Sequence, residues 1–447
     1  MDELRKHLES IVGPEHLQVG DRAADYAVDD RQPETVVFPE TVEEVSAALA
    51  ICHETRVAVV PWGGGTMMGL GNPPTRLSVV MVLTRLNKIL DFEPADMTST
   101  IQAGVNLDAY QEVLSRSGQF LALDPPRAER ATIGGILASN ASGPRRLRYG
   151  TARDLVIGAR IVQADGVVTK AGAKVVKNVT GYDMNKLYVG SLGTLGVIVD
   201  ASVRLHPIPP SRGTLLAAFG NVRSAQAAIL RILDSPLVPS AVELIAPLAW
   251  AQVSRLSDLS APGEGFVLAV EMASIQEAVA AQLAAARKIC AEAGAAEVWA
   301  IETGKEKAFW RAVRDFQPDG EGGAILKASL LPGSLAQACL VGLRVADRTG
   351  LRLAVIAEAG TAVVRYFLAG DGPAEERDGR IAAAVSALRE FAARSRGHLV
   401  LEAASARVKR SVDVWGPVGT SLPLMQRIKA AFDPRGILNP GRFAGGL

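Results

Sequence analysis

The run Val59-Val60-Pro61-Trp62-Gly63-Gly64-Gly65-Thr66 places three consecutive glycines directly after a short apolar stretch that has the character of a buried strand. Glycine tolerates positive φ and lets the backbone approach a ligand closely, so successive N–H groups can form a concave nest for an anion. A Walker loop needs Lys and then Ser or Thr after its glycines, whereas Met67 follows Thr66 here. The spacing also differs from the GxGxxG fingerprint. The triplet therefore indicates a diphosphate-binding loop of another kind or an ordinary tight turn.

The composition narrows the class of protein. The chain has 447 residues, 48% of them hydrophobic, and a formal net charge of +1. This length predicts two or three domains, and the balanced charge argues against a nucleic-acid partner. The three cysteines, Cys52, Cys290 and Cys339, are far apart and lack metal-binding spacing, which is typical of free thiols in a reducing compartment. No signal peptide or membrane-spanning run is evident, so we expect a cytoplasmic protein that reaches the inner membrane only through partners.

Local signals place the glycine loop in the first half of the chain. Thr41 and Glu44 predict a helix cap, and the apolar residues that follow recur at helical spacing as far as Cys52, before a strand over 57–60. A strand is predicted over 78–83. A second helix is predicted from an Asn106 cap to a stop near Gly118. Residues 119–150 are then rich in Gly, Pro and small side chains, which suits a chain lying against a ligand.

From residue 214 onward, a strand–helix–strand–strand–helix–strand pattern occurs twice. The first copy is predicted as strand 214–219, helix 224–234, strand 241–245, strand 266–271, helix 274–293 and strand 296–301. The second is predicted as strand 324–330, helix 334–349, strand 352–357, strand 362–368, helix 376–395 and strand 398–402. The predicted caps and stops of the helices are Ser274 with Glu277 and Gly294, then Ser334 with Gln337 and Gly350. Two such βαββαβ units predict an antiparallel sheet covered on one face by helices.

The end of the chain predicts a short helix over 421–432, followed by a segment too rich in Gly and Pro to be an independent core element. We therefore expect three parts: a first domain over 1–210, a second over 211–420, and a C-terminal segment, 421–447, that returns to the first domain.

Several blocks, taken in order, point to a family. They are Pro61–Thr66, Asp124-Pro125-Pro126, Ala131–Gly143, Arg148–Asp154, Lys177–Asp183, Gly190–Ile198 and Phe432–Gly441. In order and spacing they resemble the FAD-linked oxidoreductases of the vanillyl-alcohol oxidase/p-cresol methylhydroxylase (PCMH) superfamily. The block from Lys174 to Ile198 makes the narrower resemblance one to the FAD-binding small subunit of bacterial glycolate oxidase, in the D-lactate dehydrogenase-like branch.

This resemblance implies an α+β fold, with a two-part PCMH-type FAD-binding domain and a cap domain built from the two βαββαβ units. It implies that the FAD pyrophosphate lies on the glycine loop and that the 131–143 stretch follows the flavin and ribityl chain. The cofactor-binding residues that it implies are Pro61, Gly63, Gly64, Gly65, Thr66, Gly69, Pro126, Thr132, Gly134, Gly135, Ala138, Asn140, Ser142, Gly143, Gly196, Val197, Ile198 and Asn439. Val197 and Ile198 are equally typical of a buried strand, and Asn140 and Ser142 of a turn.

The glycine loop contains no histidine, the residue to which many superfamily members attach FAD, so non-covalent FAD is expected. D-lactate dehydrogenase-like relatives resemble one another in a His-rich cap motif that binds a divalent metal. Where that motif would lie, this chain has Ala357-Glu358-Ala359-Gly360-Thr361, and its five histidines are not clustered. No metal site is therefore expected.

Oxidation of a 2-hydroxy acid at a flavin needs a base near the hydroxyl and a cation or donor pair for the carboxylate. The catalytic candidates are Arg365, Tyr182 and Lys327, and Glu358 and His398 are further possible substrate contacts. Each has a structural alternative: Arg365 and Lys327 suit ion-paired positions in a sheet, Tyr182 a packed ring, and His398 a strand end.

Two functions follow from the resemblance. The first is an FAD-dependent CH–OH oxidoreductase, a glycolate oxidase FAD-binding subunit that passes electrons to a partner in a hetero-oligomer with a catalytic flavoprotein subunit and an iron–sulfur subunit. The second is a flavin-carrying or structural subunit that depends on a homologous catalytic partner. Because the chain is longer than the usual small subunit, a stand-alone oxidase of another substrate stays open.

Overall fold

The computed structural model describes residues 2–172, 181–259, 265–302, 304–318 and 322–447. The chain forms two compact units. The first comprises Met1–Ser142, Thr151–Ile208 and Pro417–Leu447, and the second comprises Gly143–Gly150 and Pro209–Gly416. Residues 143–150 thus belong to the second unit, although the sequence placed them in the first domain.

The elements up to residue 208 follow one another in short segments. The strands are β1 (Leu17–Val19), β2 (Thr35–Val37), β3 (Val59–Trp62), β4 (Val79–Val82), β5 (Ile89–Glu93), β6 (Thr98–Gln102), β7 (Gln119–Phe120), β8 (Val156–Val162), β9 (Val168–Gly172), β10 (Val197–Arg204) and β11 (His206–Pro207). The helices are α1 (Asp2–Val12), α2 (Asp21–Ala24), α3 (Val42–Glu54), α4 (Leu107–Ser115), α5 (Ile133–Ser139), α6 (Arg146–Tyr149) in the second unit, α7 (Ala152–Leu155) and α8 (Asn185–Tyr188).

The first unit contains two main sheets. One has the order β1-β2-β4-β3, with β2, β4 and β3 parallel, and the other is antiparallel with the order β5-β6-β10-β8-β9. A buried apolar cluster joins α1, α3, β3 and β4 to Val162, Val197 and Val199 of the second sheet. The predicted caps of α3 and α4 are confirmed, because Thr41 Oγ1 accepts from Glu44 N at 3.1 Å and Asn106 Oδ1 accepts from Ala109 N at 3.1 Å.

The second unit is built on one sheet. Its remaining strands are β12 (Ser211–Phe219), β13 (Pro239–Ile245), β14 (Phe266–Ser274), β15 (Glu297–Ala300), β16 (Ala324–Ser329), β17 (Arg352–Glu358), β18 (Val363–Ala369) and β19 (His398–Ala403). Its remaining helices are α9 (Val222–Leu233), α10 (Pro247–Leu256), α11 (Gln276–Glu292), α12 (Glu306–Arg314), α13 (Leu335–Thr349), α14 (Ala374–Arg394) and α15 (Ala406–Ser411). The chain then returns to the first unit with α16 (Leu422–Phe432).

The eight strands form one sheet with the order β15-β12-β14-β13-β17-β18-β16-β19. All of its pairs are antiparallel, and β13 pairs with β17 to join the two predicted βαββαβ copies. The duplication and the antiparallel sheet are therefore confirmed, with strand bounds within a few residues of the prediction.

Both faces of this sheet carry helices, whereas the sequence predicted helices on one face. On β17, Leu353, Val355 and Ala357 belong to the core shared with α9, α11, α13 and α14. The alternating residues Ala354 and Ile356 belong to a second core. That core also contains Trp250 of α10 and Phe309 and Trp310 of α12. We call the surface beneath α10 and α12 the second face.

One predicted helix cap is wrong, and a second is right in position but lacks the side-chain hydrogen bond of a cap. Ser274 is the last residue of β14, where it pairs with Ser211, the first residue of β12, so it is not available to begin α11. Ser334 lies at the N-cap of α13 but follows a 3₁₀ turn, and its side chain makes no cap hydrogen bond. The predicted stops are confirmed, since Gly294 and Gly350 follow their helices with φ of 88° and 62°.

The C-terminal segment binds to the strand that leads into the glycine loop. Val59 N donates to Ile437 O at 2.8 Å, and Asn439 N donates to Val59 O at 2.9 Å. Further along, Arg442 Nη2 donates to the carbonyls of Met68 and Leu70 at 2.6 and 2.5 Å. Burial lowers the pKa of Arg442 to about 10, although Asp29 opposes the shift. None of the described helices is long and apolar enough to cross a lipid bilayer.

Candidate functional site

The glycine loop is packed tightly against residues 130–135 of its own unit. A Cβ on Gly63 would lie 2.2 Å from Thr132 Oγ1, and one on Gly64 would lie 1.7 Å from the Arg130 carbonyl oxygen. Gly65 has φ of +72°, and a Cβ added there would lie 3.0 Å from the Trp62 ring. The fold therefore requires these glycines for packing, before any ligand is considered.

The backbone donors of the same loop point to no acceptor in the part of the chain that the structure describes. Within the described residues, the N–H groups of Gly63, Gly64, Gly65 and Thr66 donate no hydrogen bond. The Thr66 carbonyl accepts from Arg127 Nη1 at 3.5 Å, which brings a guanidinium beside the loop. Four successive open donors with a neighbouring cation suit a diphosphate, so the residues present fit the pyrophosphate of FAD.

The 131–143 stretch begins with a helix cap. Thr132 caps α5, and its Oγ1 lies 3.4 Å from Gly135 N. Gly134 donates to Ala103 O at 2.7 Å, and a Cβ there would lie 2.7 Å from the Ala103 Cβ. A Cβ on Gly135 would meet only Thr132 Oγ1, at 3.3 Å. Gly134 is thus fixed by packing, whereas Gly135 leaves one side of the helix open.

The end of α5 places the remaining residues of this stretch. Asn140 adopts φ of 50°, the left-handed conformation that ends the helix, and its Oδ1 accepts from Arg153 N at 3.4 Å. The Ala138 carbonyl accepts from Leu192 N at 2.8 Å. Ser142 is buried, and Gly143 is the first residue of the second unit. Asn140 therefore has the turn role that its residue type favours, and its contact with FAD stays a prediction.

Three of the predicted cofactor-binding residues, Gly196, Val197 and Ile198, lie where packing within the protein explains them. Val197 and Ile198 are buried in β10, paired with Val162 and Ile161 of β8. Gly196 is placed by close packing, because a Cβ there would lie 2.4 Å from Ile161 Cγ2. This environment favours the strand interpretation for the pair.

Asn439 differs from them. It is buried with φ of 46°, and its Nδ2 donates to Leu192 O at 2.5 Å. Its Oδ1 is buried without a partner among the described residues. A buried amide oxygen normally has a donor, so this atom is available to a ligand. Pro61 lies near Gly193 in the same unit, Pro126 is half-buried and Gly69 is exposed. Residues 177–180 of the family block lie outside the described residues.

A group of charged side chains lies on the second face of the large sheet, and we call it the charge row: Glu358, Arg365, Glu402, Lys327 and Arg146. Arg365 donates through Nη1 to Glu358 and through Nε to Glu402 Oε2 at 3.1 Å. Lys327 Nζ lies 3.7 Å from Glu402 Oε1, and Arg146 Nη1 lies 3.8 Å from Glu358 Oε2. Arg365 is thus the closely held cation of the row, and Lys327 is held more loosely.

Strand register explains how these side chains meet. Lys327 and Arg365 are Cα partners across β16 and β18, and β19 pairs with the other edge of β16. Arg365 alternates with Phe367, and Glu358 with Ile356, both of which face α10 and α12. Side chains two residues apart on a strand share a face, so the row continues the second face beyond its apolar part.

Burial and charge act in opposite directions on the pKa values of the row. Burial would lower the pKa of Arg365, but the carboxylates of Glu358 and Glu402 together raise it above the ordinary value. Burial would raise the pKa of Glu402, but Arg365 and Lys327 lower it. Burial lowers the pKa of Lys327, and Glu402 offsets only part of that shift. Arg365 and Glu402 are therefore held in their charged forms.

The two other candidates for substrate contacts, Tyr182 and His398, are exposed and are not part of the charge row. Tyr182 is 94% exposed, which contradicts the interpretation as a packed ring. His398 is exposed at the start of β19. In the described part of the chain, no group of three His, Cys, Asp or Glu side chains is arranged to hold a metal ion.

Sequence reasoning did not select Arg127, Arg146 or Glu402. Glu402 had a signal, because it is a charged residue on a strand whose alternate residues Leu399 and Leu401 are apolar. Arg127 and Arg146 lie in loop-rich sequence with no periodicity, so only the folded structure identifies their neighbours.

Comparison with known proteins gives two family matches. Residues 33–172 match the FAD binding domain family, and residues 208–443 match the C-terminal domain of FAD linked oxidases. A glycolate oxidase subunit, GlcD, from Bacillus subtilis is 30% identical over 422 residues, covering 92% of this chain and 88% of that protein. A D-lactate dehydrogenase from Archaeoglobus fulgidus is 30% identical over 420 residues, covering 91% of this chain and 90% of that protein.

The fold is shared with a crystal structure of p-cresol methylhydroxylase with substrate bound. That structure has a TM-score of 0.80 at 19% identity and covers 99% of this chain and 96% of its own. The predicted superfamily, its two-part architecture and its cofactor are confirmed by these matches together. The chain belongs to the FAD-linked oxidases and is an oxidoreductase with FAD as its cofactor.

Proposed function

We propose that this protein is a dehydrogenase of small 2-hydroxy acids that passes the electrons from its FAD to a partner protein. The observation that carries the proposal is similarity over more than nine-tenths of the chain to relatives named for glycolate and D-lactate, both of them 2-hydroxy acids. The charge row adds cations of the kind that a carboxylate substrate needs.

The reaction removes a hydride equivalent from the carbinol carbon and a proton from its hydroxyl, leaving a 2-oxo acid. FAD, when bound, accepts the two electrons. In the first unit, we assign the diphosphate to the N–H groups of Gly63 to Thr66 and to the Arg127 guanidinium. The 131–143 stretch and Asn439 supply further backbone and amide groups for the cofactor. Attachment is non-covalent, since no histidine occurs between Pro61 and Gly69.

Arg365, Lys327 and Tyr182 are the proposed substrate contacts. Arg365 and Lys327 lie in the second unit, where burial strengthens their attraction for an anion. Tyr182 lies in the first unit, with its side chain exposed and its hydroxyl accessible. The GlcD relative is named as a subunit, which supports assembly of this chain with other subunits. Within this proposal, those subunits are a homologous flavoprotein and an iron–sulfur protein.

A flavin-carrying subunit without its own catalysis is the second candidate. It is favoured by the mutual pairing of Arg365 with Glu358 and Glu402, because a cation already held by two carboxylates attracts a substrate less strongly.

Anaerobic reduction of the purified yellow protein tests the proposal. We expect glycolate or D-lactate to bleach the flavin absorbance, because the relatives named for these acids share nearly the whole chain. The matched controls are ethylene glycol and 1,2-propanediol, which keep the oxidisable alcohol but lack the carboxylate. A flavin that no 2-hydroxy acid reduces, while dithionite reduces it fully, would favour the carrier role instead.

A further inference from the structure

Two cations lie directly opposite each other in the charge row. Lys327 and Arg365 are Cα partners on β16 and β18, with both side chains on the second face. Like charges opposite one another across an antiparallel pair destabilise a sheet. Glu402 lies beside both and compensates them in part, through Arg365 Nε at 3.1 Å and Lys327 Nζ at 3.7 Å. Glu358 holds Arg365 as well, so two carboxylates face the two cations, and Arg146 gives the charge row one positive charge in excess.

Both cations also keep hydrogen-bond donors for which the described part of the chain provides no acceptor. Within the described residues, Arg365 donates only through Nε and Nη1, which leaves Nη2 without an acceptor. Lys327 Nζ has its nearest carboxylate oxygen at 3.7 Å, beyond hydrogen-bond distance. The two side chains are only 18% and 27% exposed. Half-buried cationic donors without acceptors are costly, so an anion that reaches both is favoured.

The two carboxylates around Arg365 fix its orientation. Glu358 holds Nη1 from β17, and Glu402 holds Nε from β19, so the guanidinium is gripped on two of its edges. Since Glu358 is 3% exposed, this grip is largely shielded from water. The remaining edge, with Nη2, is the one that can meet a ligand. The planar fork of arginine suits a carboxylate at such an edge.

We propose that Arg365 and Lys327 form a metal-independent site for the carboxylate of the substrate, with Glu358 and Glu402 as positioning residues. This inference rests on the proposed function, whose substrate it specifies further: an acid with a carboxylate small enough to bridge the Arg365 Nη2 edge and the Lys327 ammonium. Arg365 supplies the fixed positive charge between the two glutamates, so no metal ion is required there.

The test measures oxalate binding to the FAD-loaded protein by calorimetry, because oxalate carries carboxylates but no oxidisable C–H bond. We expect Lys327→Met and Arg365→Lys each to weaken oxalate binding about 10- to 100-fold, the loss expected for a charged hydrogen bond. Arg352→Met is the matched control: Arg352 lies on β17 of the same sheet, but it is half-exposed and pairs with Asp371 at 3.4 Å. We expect that control, and dialysis of the wild type against EDTA, to leave the affinity unchanged.

Lys327→Met separates binding from folding, since removing a loosely paired lysine leaves Arg365 to neutralise Glu402. Its thermal midpoint should stay near that of the wild type while its oxalate affinity falls. Unchanged affinity in both folded variants would overturn the inference, as would binding that EDTA abolishes and Mn²⁺ restores.

The two proposals fail separately in this design. If 2-hydroxy acids reduce the flavin but the variants keep the wild-type KM, the proposed function stands and this site is wrong. If oxalate binding depends on Lys327 and Arg365 but no 2-hydroxy acid reduces the flavin, the site stands and the proposed activity is wrong.

The pH dependence provides a further prediction. Burial lowers the pKa of Lys327 below its ordinary value of 10.5, with Glu402, Arg365, Glu358 and Arg146 as the charged neighbours. Oxalate binds the protonated ammonium, so affinity should fall as the pH rises through this lowered pKa. Lys327→Arg should retain affinity at that pH, because arginine stays protonated. Identical pH profiles for the two proteins would contradict the role of Lys327.

Discussion

Replacing Gly64 with alanine is expected to yield colourless protein that is less stable than the wild type even without FAD. The new Cβ would lie 1.7 Å from the Arg130 carbonyl oxygen and 2.8 Å from its carbon, so backbone rather than a flexible side chain must move. Overpacking commonly costs about 1–3 kcal/mol, and this contact belongs at or above the upper end of that range. The displaced loop also loses the geometry of its four open donors.

Two measurements check this expectation. Urea unfolding of the FAD-free proteins gives the loss of stability without the contribution of bound ligand, and the absorbance of purified protein gives the FAD content. Gly135→Ala is the control, because its Cβ meets only Thr132 Oγ1 at 3.3 Å. A yellow Gly64→Ala protein of wild-type stability would show that the loop is not packed as described.

This geometry changes how the glycine loop can be tested. From the sequence alone, bulky replacements of Gly64 and Gly65 are expected to act only by blocking the pyrophosphate. The structure shows that Gly63 and Gly64 also pack against Thr132 and Arg130, about 70 residues later in the chain. Loss of FAD in such variants therefore combines loss of ligand contact with loss of local structure. Only the comparison of FAD-free proteins separates the two.

The repeated part of the fold was predictable because its signals are local. Strand alternation, helical spacing and glycine stops gave all twelve elements of the two βαββαβ copies. The helices α10 and α12 were missed, although they lie in the two longest stretches of the copies that held no predicted element, between β13 and β14 and between β15 and β16. A structureless connection of that length is uncommon inside a compact unit, so its length was the available signal.

The failures share a physical cause, which is competition from tertiary structure. Ser274 has the residue type of a helix cap, but β12 and β14 pair along nine residues, and this pairing extends the strand through Ser274. The charge row depends on sheet order in the same way. Glu358 and Arg365 belong to one hairpin and could be paired from sequence, whereas Glu402 reaches Arg365 only because β16 lies between β18 and β19.

Replacing Asp433 with alanine is expected to cost about 3–5 kcal/mol, the range for breaking a buried ion pair from one side. Asp433 is 2% exposed, and it accepts from Ile437 N at 3.0 Å, from Leu438 N at 2.8 Å and from Lys429 Nζ at 2.6 Å. Its loss leaves two backbone donors without acceptors. It also leaves Lys429 as a buried cation whose remaining bonds go to the carbonyls of Thr194 and Leu438.

Urea unfolding at neutral pH measures this loss, with Glu390→Ala as the control. Glu390 forms an exposed i,i+4 pair with Arg394, for which about 0.3–0.5 kcal/mol is expected. The double variant Lys429→Met with Asp433→Ala should recover part of the loss, because no unpaired charge remains buried. A loss below about 1 kcal/mol in Asp433→Ala would mean that the pair is open to water.

The same variant should respond to pH in a defined direction. Burial lowers the pKa of Lys429 in the folded protein, and Asp433 is the group that opposes the shift. Without Asp433, the pKa of Lys429 in the folded protein falls further below its ordinary value of 10.5. Between these two pKa values, the unfolded chain binds the proton of Lys429 more readily than the folded protein does. The stability deficit should therefore shrink as the pH rises through that interval. FAD content should fall with stability, because Ile437 and Asn439 hold Val59, the first residue of the strand that leads into the glycine loop.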